Sequence, residues 1–155
     1  FQSSIYNLPD AEEVSKKLYS LPMDFYLIFS SYYGTDFSKI FVNLLTKFLA
    51  CCTGVLEGMK SNNREMVDIS TVQWYQCADE IAKFLSSINV YWDENQWRNL
   101  LTQYMRMKID EIIATMNGEF VRQIELYKNM EDITFIIGSY MARGILAMSQ
   151  FQYRK

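Results

Sequence analysis

The chain contains no histidine. That absence excludes imidazole metal sites and every catalytic arrangement in which a histidine activates a nucleophile. Proline is nearly missing too, two in 155 residues, and glycine is scarce at six. So few turn-formers disfavour a fold of many short strands and favour helix. Basic runs are also lacking: no block of Lys or Arg exceeds two in a row, and the formal net charge is −3. Neither a nucleic-acid footprint nor a polybasic membrane patch is expected. The charge-free runs, Phe25 to Thr35 and Ile133 to Ala142 among the longest, fall short of the roughly 18 to 20 residues of a membrane span. A soluble protein that does not engage a membrane is the expectation. Cysteine is limited to Cys51, Cys52 and Cys77 with no CxxC spacing. These read as reduced, small core residues of a cytoplasmic protein, not as a disulfide framework or a zinc knuckle.

Half of the residues are hydrophobic, enough at this length for one compact domain with one core. Phe1-Gln2-Ser3 matches the tail of an engineered protease-cleavage sequence, so residues 1–3 read as a cloning scar. Residues 4–149 then form a single helical domain, with 150–155 a frayed tail.

The best-specified stretch runs from Thr71 to Trp97. Trp74, Ala78, Ile81, Leu85 and Ile88 recur at alternating spacings of four and three, one face of a helix, with Cys77 and Phe84 widening the stripe. The helix is expected to end near Asn89, a residue that tolerates a left-handed cap. Asp93 then caps a second helix, in a capping box with Gln96, while Trp92 and Trp97 staple the turn.

Elsewhere, Asp10 caps a short first helix that Leu21-Pro22 interrupts near Tyr19. A second helix buries Phe25, Phe29 and Tyr32 and closes at Gly34. Thr35 or Asp36 caps a long core helix carrying Phe37, Phe41, Leu44, Phe48, Cys51 or Cys52, Val55 and Met59. Lys60 to Arg64 is a loop, after which the next helix starts either at Asn63 or at Ser70. The Asp93 helix carries Trp97, Leu101, Tyr104, Ile112 and Met116, bends near Met107 and Lys108 where the pattern slips, and stops at Asn117-Gly118. The last helix turns Phe120, Ile124, Tyr127, Thr134, Ile137, Met141, Ile145 and Met148 inward, with Gly138 and Ala142 leaving room for a neighbouring helix. The sum is an all-α bundle-like domain of about five or six helices.

The run Trp74 to Ile88, the turn Asn89-Val90-Tyr91-Trp92, Asn117-Gly118-Glu119, the closing Tyr140 to Ile145 and an earlier Tyr32-Tyr33-Gly34 together resemble a family of small bacterial all-helical proteins. Its expected pattern is W-x-x-N-A-D-x-I-A-x-F-L-S-S-I-N-P-Y-W, then N-G-D, then M-A-D-x-x-x-x-G-I. Some members are labelled acetylglutamate kinase or synthase, but the family brings no secure function. Kinase chemistry would need a glycine-rich phosphate cradle between strand and helix, and this chain clusters no glycines. The chain departs from the pattern where Phe48 and Tyr104 stand at family histidine positions, Val90 at the turn proline and Cys77 at the Asn before Ala78-Asp79. A member with aromatics in place of those histidines would fill with apolar volume what the others could use for a metal.

Asp79, Glu111, Asn89, Asn99 and Arg143 are the polar groups near expected helix contacts. A four-helix di-metal site expects Glu plus Glu-x-x-His pairs, so no catalytic residue, metal ligand or cofactor is assigned. Asp79 or Arg143 is expected in a salt bridge or a helix cap. Nine Met, eleven Tyr and ten Phe are a heavy load of side chains that serve both interfaces and apolar cavities. Function is therefore expected to be that of a cytoplasmic binding or interaction module, self-associating through an aromatic and methionine-rich face. The alternative is a carrier or sensor for a small apolar molecule. The residues proposed for a ligand or partner site are Trp74, Asp79, Asn89, Trp92, Trp97, Tyr104 and Arg143.

Overall fold

A computed structural model describes the backbone of residues 11–152 and side chains from Pro22 to Gln150. The scar reading of residues 1–3, the Asp10 cap, the inward side chains of the expected first helix and the last three residues lie outside the described residues. The chain is all-α, and among the described residues there is no strand. Among the described residues five helices follow in order: α1 (Ala11–Tyr33), α2 (Thr35–Lys60), α3 (Arg64–Ile88), α4 (Glu94–Met116) and α5 (Phe120–Gln152). Contacts divide the chain into two compact units, one ending at Ile81 and one beginning at Ala82, with α3 contributing residues to both.

The two expected N-terminal helices are one, because α1 continues through Pro22. A proline inside a helix removes one backbone hydrogen bond and crowds the carbonyl four residues earlier, at about 3 kcal/mol, but it does not forbid continuation where packing holds both sides. Pro22 is buried. The inward face of α1 is Phe25, Phe29 and Tyr33, with Tyr32 half exposed instead. Phe29 stacks on Phe41 of α2 at 4.4 Å, and Phe25 meets the same ring edge-on at 5.8 Å. Gly34 ends α1 at φ 84° and, in place of Thr35 or Asp36, is also the cap residue of α2. No side chain caps that end; Ser38 donates its hydroxyl to the Gly34 carbonyl at 2.7 Å.

In α2 the buried hydrophobic side chains are Phe41, Phe48, Leu49, Cys52, Val55 and Leu56, while Phe37 is 45% exposed. By length and composition α2 is apolar enough to cross a membrane, with an 18-residue window of mean hydropathy 1.5. The expectation that no segment reaches that mark counted charge-free runs, whereas hydropathy tolerates an isolated Lys47 or Glu57. One third of that window is buried inside the protein. The helix stops in a Schellman turn: Asn62 sits at φ 54°, its N–H donates to the Met59 carbonyl, and the Asn63 N–H donates to Gly58. Asn63 then caps α3, its side-chain oxygen accepting from the Met66 N–H at 3.0 Å. This settles the start of α3 at the earlier of the two sites. Ser70 is a buried mid-helix residue packed where Gly54 of α2 has no side chain.

In the second unit α4 is uninterrupted through Met107 and Lys108. The inward positions keep their spacing there, but Lys108, Glu111 and Thr115 occupy them. A second Schellman turn ends the helix: Gly118 at φ 69° donates to Thr115, and Glu119 donates to Ala114. The buried Gln123 side chain then ties the start of α5 to the end of α4 by donating to the Ala114 carbonyl at 3.3 Å. The first half of α5 is turned relative to expectation. Gln123, Leu126, Met130 and Ile133 face inward, and Phe120, Ile124, Tyr127 and Thr134 are exposed. Burying Gln123, with its amide satisfied, sets that rotation. At its other end α5 runs to Gln152.

Candidate functional site

The turn between α3 and α4 is the most highly organised polar feature of the second unit. Asn89, 1% exposed, ends α3 without a left-handed backbone: its side-chain oxygen accepts from the Tyr91 N–H at 2.9 Å, and its carbonyl accepts from Trp92 at 3.0 Å. Asp93 caps α4 by accepting from Gln96 N–H at 2.8 Å. The reciprocal half of the capping box is supplied from elsewhere, because the Asp93 N–H donates to the Tyr140 hydroxyl of α5 at 2.8 Å. Trp92 and Trp97 form the expected staple, edge to face at 5.7 Å, and Trp97 rests on the Tyr140 ring at 5.0 Å. The Trp92 indole N–H donates to the Tyr140 carbonyl at 3.3 Å.

This constellation is closed. Trp92 and Trp97 are 2% and 1% exposed, and Gly144 of α5 lies so close to the Trp92 indole that any side chain there would overlap it. The approach foreseen at Gly138 and Ala142 is found here instead; Gly138 has nothing within reach of an added methyl group. Trp74 is likewise buried, against Phe48 in the first unit at 5.4 Å. The indole N–H groups of Trp74 and Trp97 meet no acceptor, a cost of about 1–3 kcal/mol each that their packing must exceed. All three tryptophans are therefore core.

Of the remaining expected site residues, Asp79 lies half buried on α3 in the first unit, and Arg143 is exposed on α5, its Nε donating to the Ser139 carbonyl of its own helix. The structure thus brings together Asn89, Trp92 and Trp97, and adds Tyr140 and Gly144. Tyr104 belongs to another feature, an open groove of about 470 Å³ between α4 and α5. Its floor holds Lys108 and Glu111, 9% and 7% exposed, whose Nζ and Oε2 are 2.5 Å apart; Tyr127, Met130 and Phe135 supply apolar walls. Lys108 neutralises the carboxylate that the sequence offers for acid–base work. The signal for the pair was the opposite charge at a three-residue spacing. Among the described residues no group of three or more Cys, Asp or Glu side chains is placed to hold a metal ion.

Beside this groove α5 presents an apolar face to solvent. Phe120, Val121, Ile124 and Tyr127 are 68%, 76%, 73% and 56% exposed at helical spacing. Comparison of the chain with protein-family models, curated proteins and solved structures finds no match. The likeness to the small bacterial helical family rests on the quoted residues alone.

Proposed function

We propose that the protein is a cytoplasmic, non-enzymatic helical interaction module that pairs with a second copy of itself through the outward face of α5. The observation that carries this reading is the exposed stripe Phe120, Val121, Ile124 and Tyr127. Contiguous apolar area on a helix, backed by a buried opposite face, is the usual form of a surface awaiting a partner. Charge favours a like partner. Glu125 flanks the stripe and Lys128 lies within it one turn further along, so an antiparallel two-fold pairing can set Glu125 of each copy toward Lys128 of the other.

The carrier of a small apolar molecule finds less support, since Trp74, Trp92 and Trp97 fill cores and the groove beside Tyr104 has a charged floor. Sedimentation velocity and native mass spectrometry test the reading. The wild-type chain is expected to sediment as a dimer at tens of micromolar, and Ile124→Glu as a monomer with unchanged helical content. A wild-type monomer across that range, or a dimer that Ile124→Glu leaves intact, overturns it. An added non-covalent mass lost on denaturation would instead favour the carrier.

A further inference from the structure

A second groove, of about 260 Å³, lies in the first unit between α2 and α3. Cys51 of α2 and Cys77 of α3 both line it, near enough for each side chain to act on the other across the two helices. Lys47 stands one turn before Cys51, and Glu80 one turn after Cys77, on the same groove. Cys52, the next residue along, faces the core at 2% exposure. The helix backbones come close here because Gly54 and Gly58 replace side chains: a methyl group on Gly54 would lie 2.6 Å from the Ser70 hydroxyl, and one on Gly58 would lie 2.9 Å from Val67. Two thiols that face one groove from neighbouring, closely approaching helices are the arrangement from which an interhelical disulfide can close.

The two sulfurs are unequal. Cys51 is half exposed in the groove, beside the Lys47 ammonium. Cys77 is 8% exposed, and burial, then the neighbouring Cys51, push its thiol up to about 11, against a smaller opposite pull from Lys47. At neutral pH Cys77 holds its proton. An accessible sulfur in a groove that also holds a cation, with a buried sulfur behind it, is the division between an attacking and a resolving thiol.

We propose that Cys51 and Cys77 form a thiol–disulfide exchange site for low-molecular-weight disulfides of the glutathione kind, with Cys51 attacking and Cys77 resolving. In the first step the Cys51 thiolate bonds to one sulfur of the small disulfide, whose S–S bond breaks, and a small thiolate leaves. In the second, Cys77 gives its proton to that thiolate and its sulfur bonds to Cys51, releasing the second small thiolate, which takes up the proton that Cys51 had lost to solvent. The two protein thiols are oxidised by two electrons, one small disulfide is reduced to two thiols, and α2 becomes clipped to α3.

The test treats the reduced full-length protein with oxidised glutathione, quenches in acid, alkylates under denaturing conditions and maps the peptides. The wild type is expected to yield a Cys51–Cys77 cross-linked peptide in monomeric protein, with Cys52 alkylated. Cys77→Ser is expected to stall as a glutathione adduct on Cys51, and Cys51→Ser to give neither product. The wild-type measurement does not depend on how either variant folds. A wild type that accumulates the Cys51 adduct without closing, closes through Cys52, or remains unreacted while retaining its native circular dichroism overturns the proposal.

Discussion

Gly144→Ala sets two opposing effects against each other at one position. In a helix interior alanine is better than glycine by about 1 kcal/mol. At Gly144 the added methyl group would overlap the Trp92 indole, a ring that cannot retreat. It is 2% exposed, edge-on to Trp97 at 5.7 Å, and donates to the Tyr140 carbonyl. Overpacking of this kind costs roughly 1–3 kcal/mol, and disturbing the indole hydrogen bond adds about 1 kcal/mol. The net expectation is a loss of about 1–3 kcal/mol, a fall in melting temperature on the order of 5 °C. Gly138→Ala is the internal control, six residues earlier on α5 with nothing near an added methyl group. It receives the propensity gain alone and should stabilise by about 0.5–1 kcal/mol. Urea unfolding followed by circular dichroism and tryptophan fluorescence ranks the three proteins. If Gly144→Ala proves as stable as wild type, the close approach of α5 to Trp92 is wrong, and with it the account of why this turn is closed.

Lys108→Met leaves the Glu111 carboxylate buried without its cation, and should cost about 3–5 kcal/mol in the same assay, whereas adding Glu111→Leu should recover most of that loss. Asp93→Ala removes the acceptor for the Gln96 N–H and should cost about 0.5–2 kcal/mol; Tyr140→Phe, which removes the acceptor for the Asp93 N–H, should cost about 0.5–1.5 kcal/mol. The Cys77 thiol makes stability pH-dependent in alkali. Its folded value of about 11 lies above the ordinary 9.0, so the folded state holds the proton longer than the unfolded one. Its contribution, at most roughly 2–3 kcal/mol, is complete below pH 9 and lost as pH rises toward 11. Cys77→Ala should flatten that part of a urea-midpoint against pH curve, and an unchanged slope would refute the assignment.

The readable parts of the fold were those in which local chemistry and burial agree. The Trp74 stripe, the Asp93 cap, the Trp92–Trp97 staple and the Asn117-Gly118 stop each combine a periodic apolar face with a residue whose side chain or backbone freedom suits the end of a helix. The errors came where a polar residue took a core position. Lys108 on the inward face of α4 read as a bend, and on α5 the apolar Phe120, Ile124 and Tyr127 read as inward where Gln123 takes the core position. An apolar stripe at the right spacing shows that a face exists but not whether its partner is in the same chain. The expected site was legible only in part, for the same reason. Asn89, Trp92 and Trp97 are neighbours in sequence and meet in space, whereas Tyr140 and Gly144 reach them from more than 40 residues away, a distance over which spacing carries no information.

The Schellman turn at the end of α4 also bears on how this protein ages. Asn followed by Gly is the pair most prone to deamidation, because an unhindered glycine nitrogen can close on the asparagine side-chain carbonyl to form a succinimide. In the folded chain that nitrogen is engaged, with Gly118 N–H donating to the Thr115 carbonyl at 3.2 Å, and the Asn117 amide is turned to Glu119 at 3.1 Å. The turn that stops the helix therefore holds the reacting atoms out of attack geometry. Damage at Asn117 is expected to be faster in molecules whose α4–α5 corner has opened, so isoaspartate at this position would report on the opening of that corner.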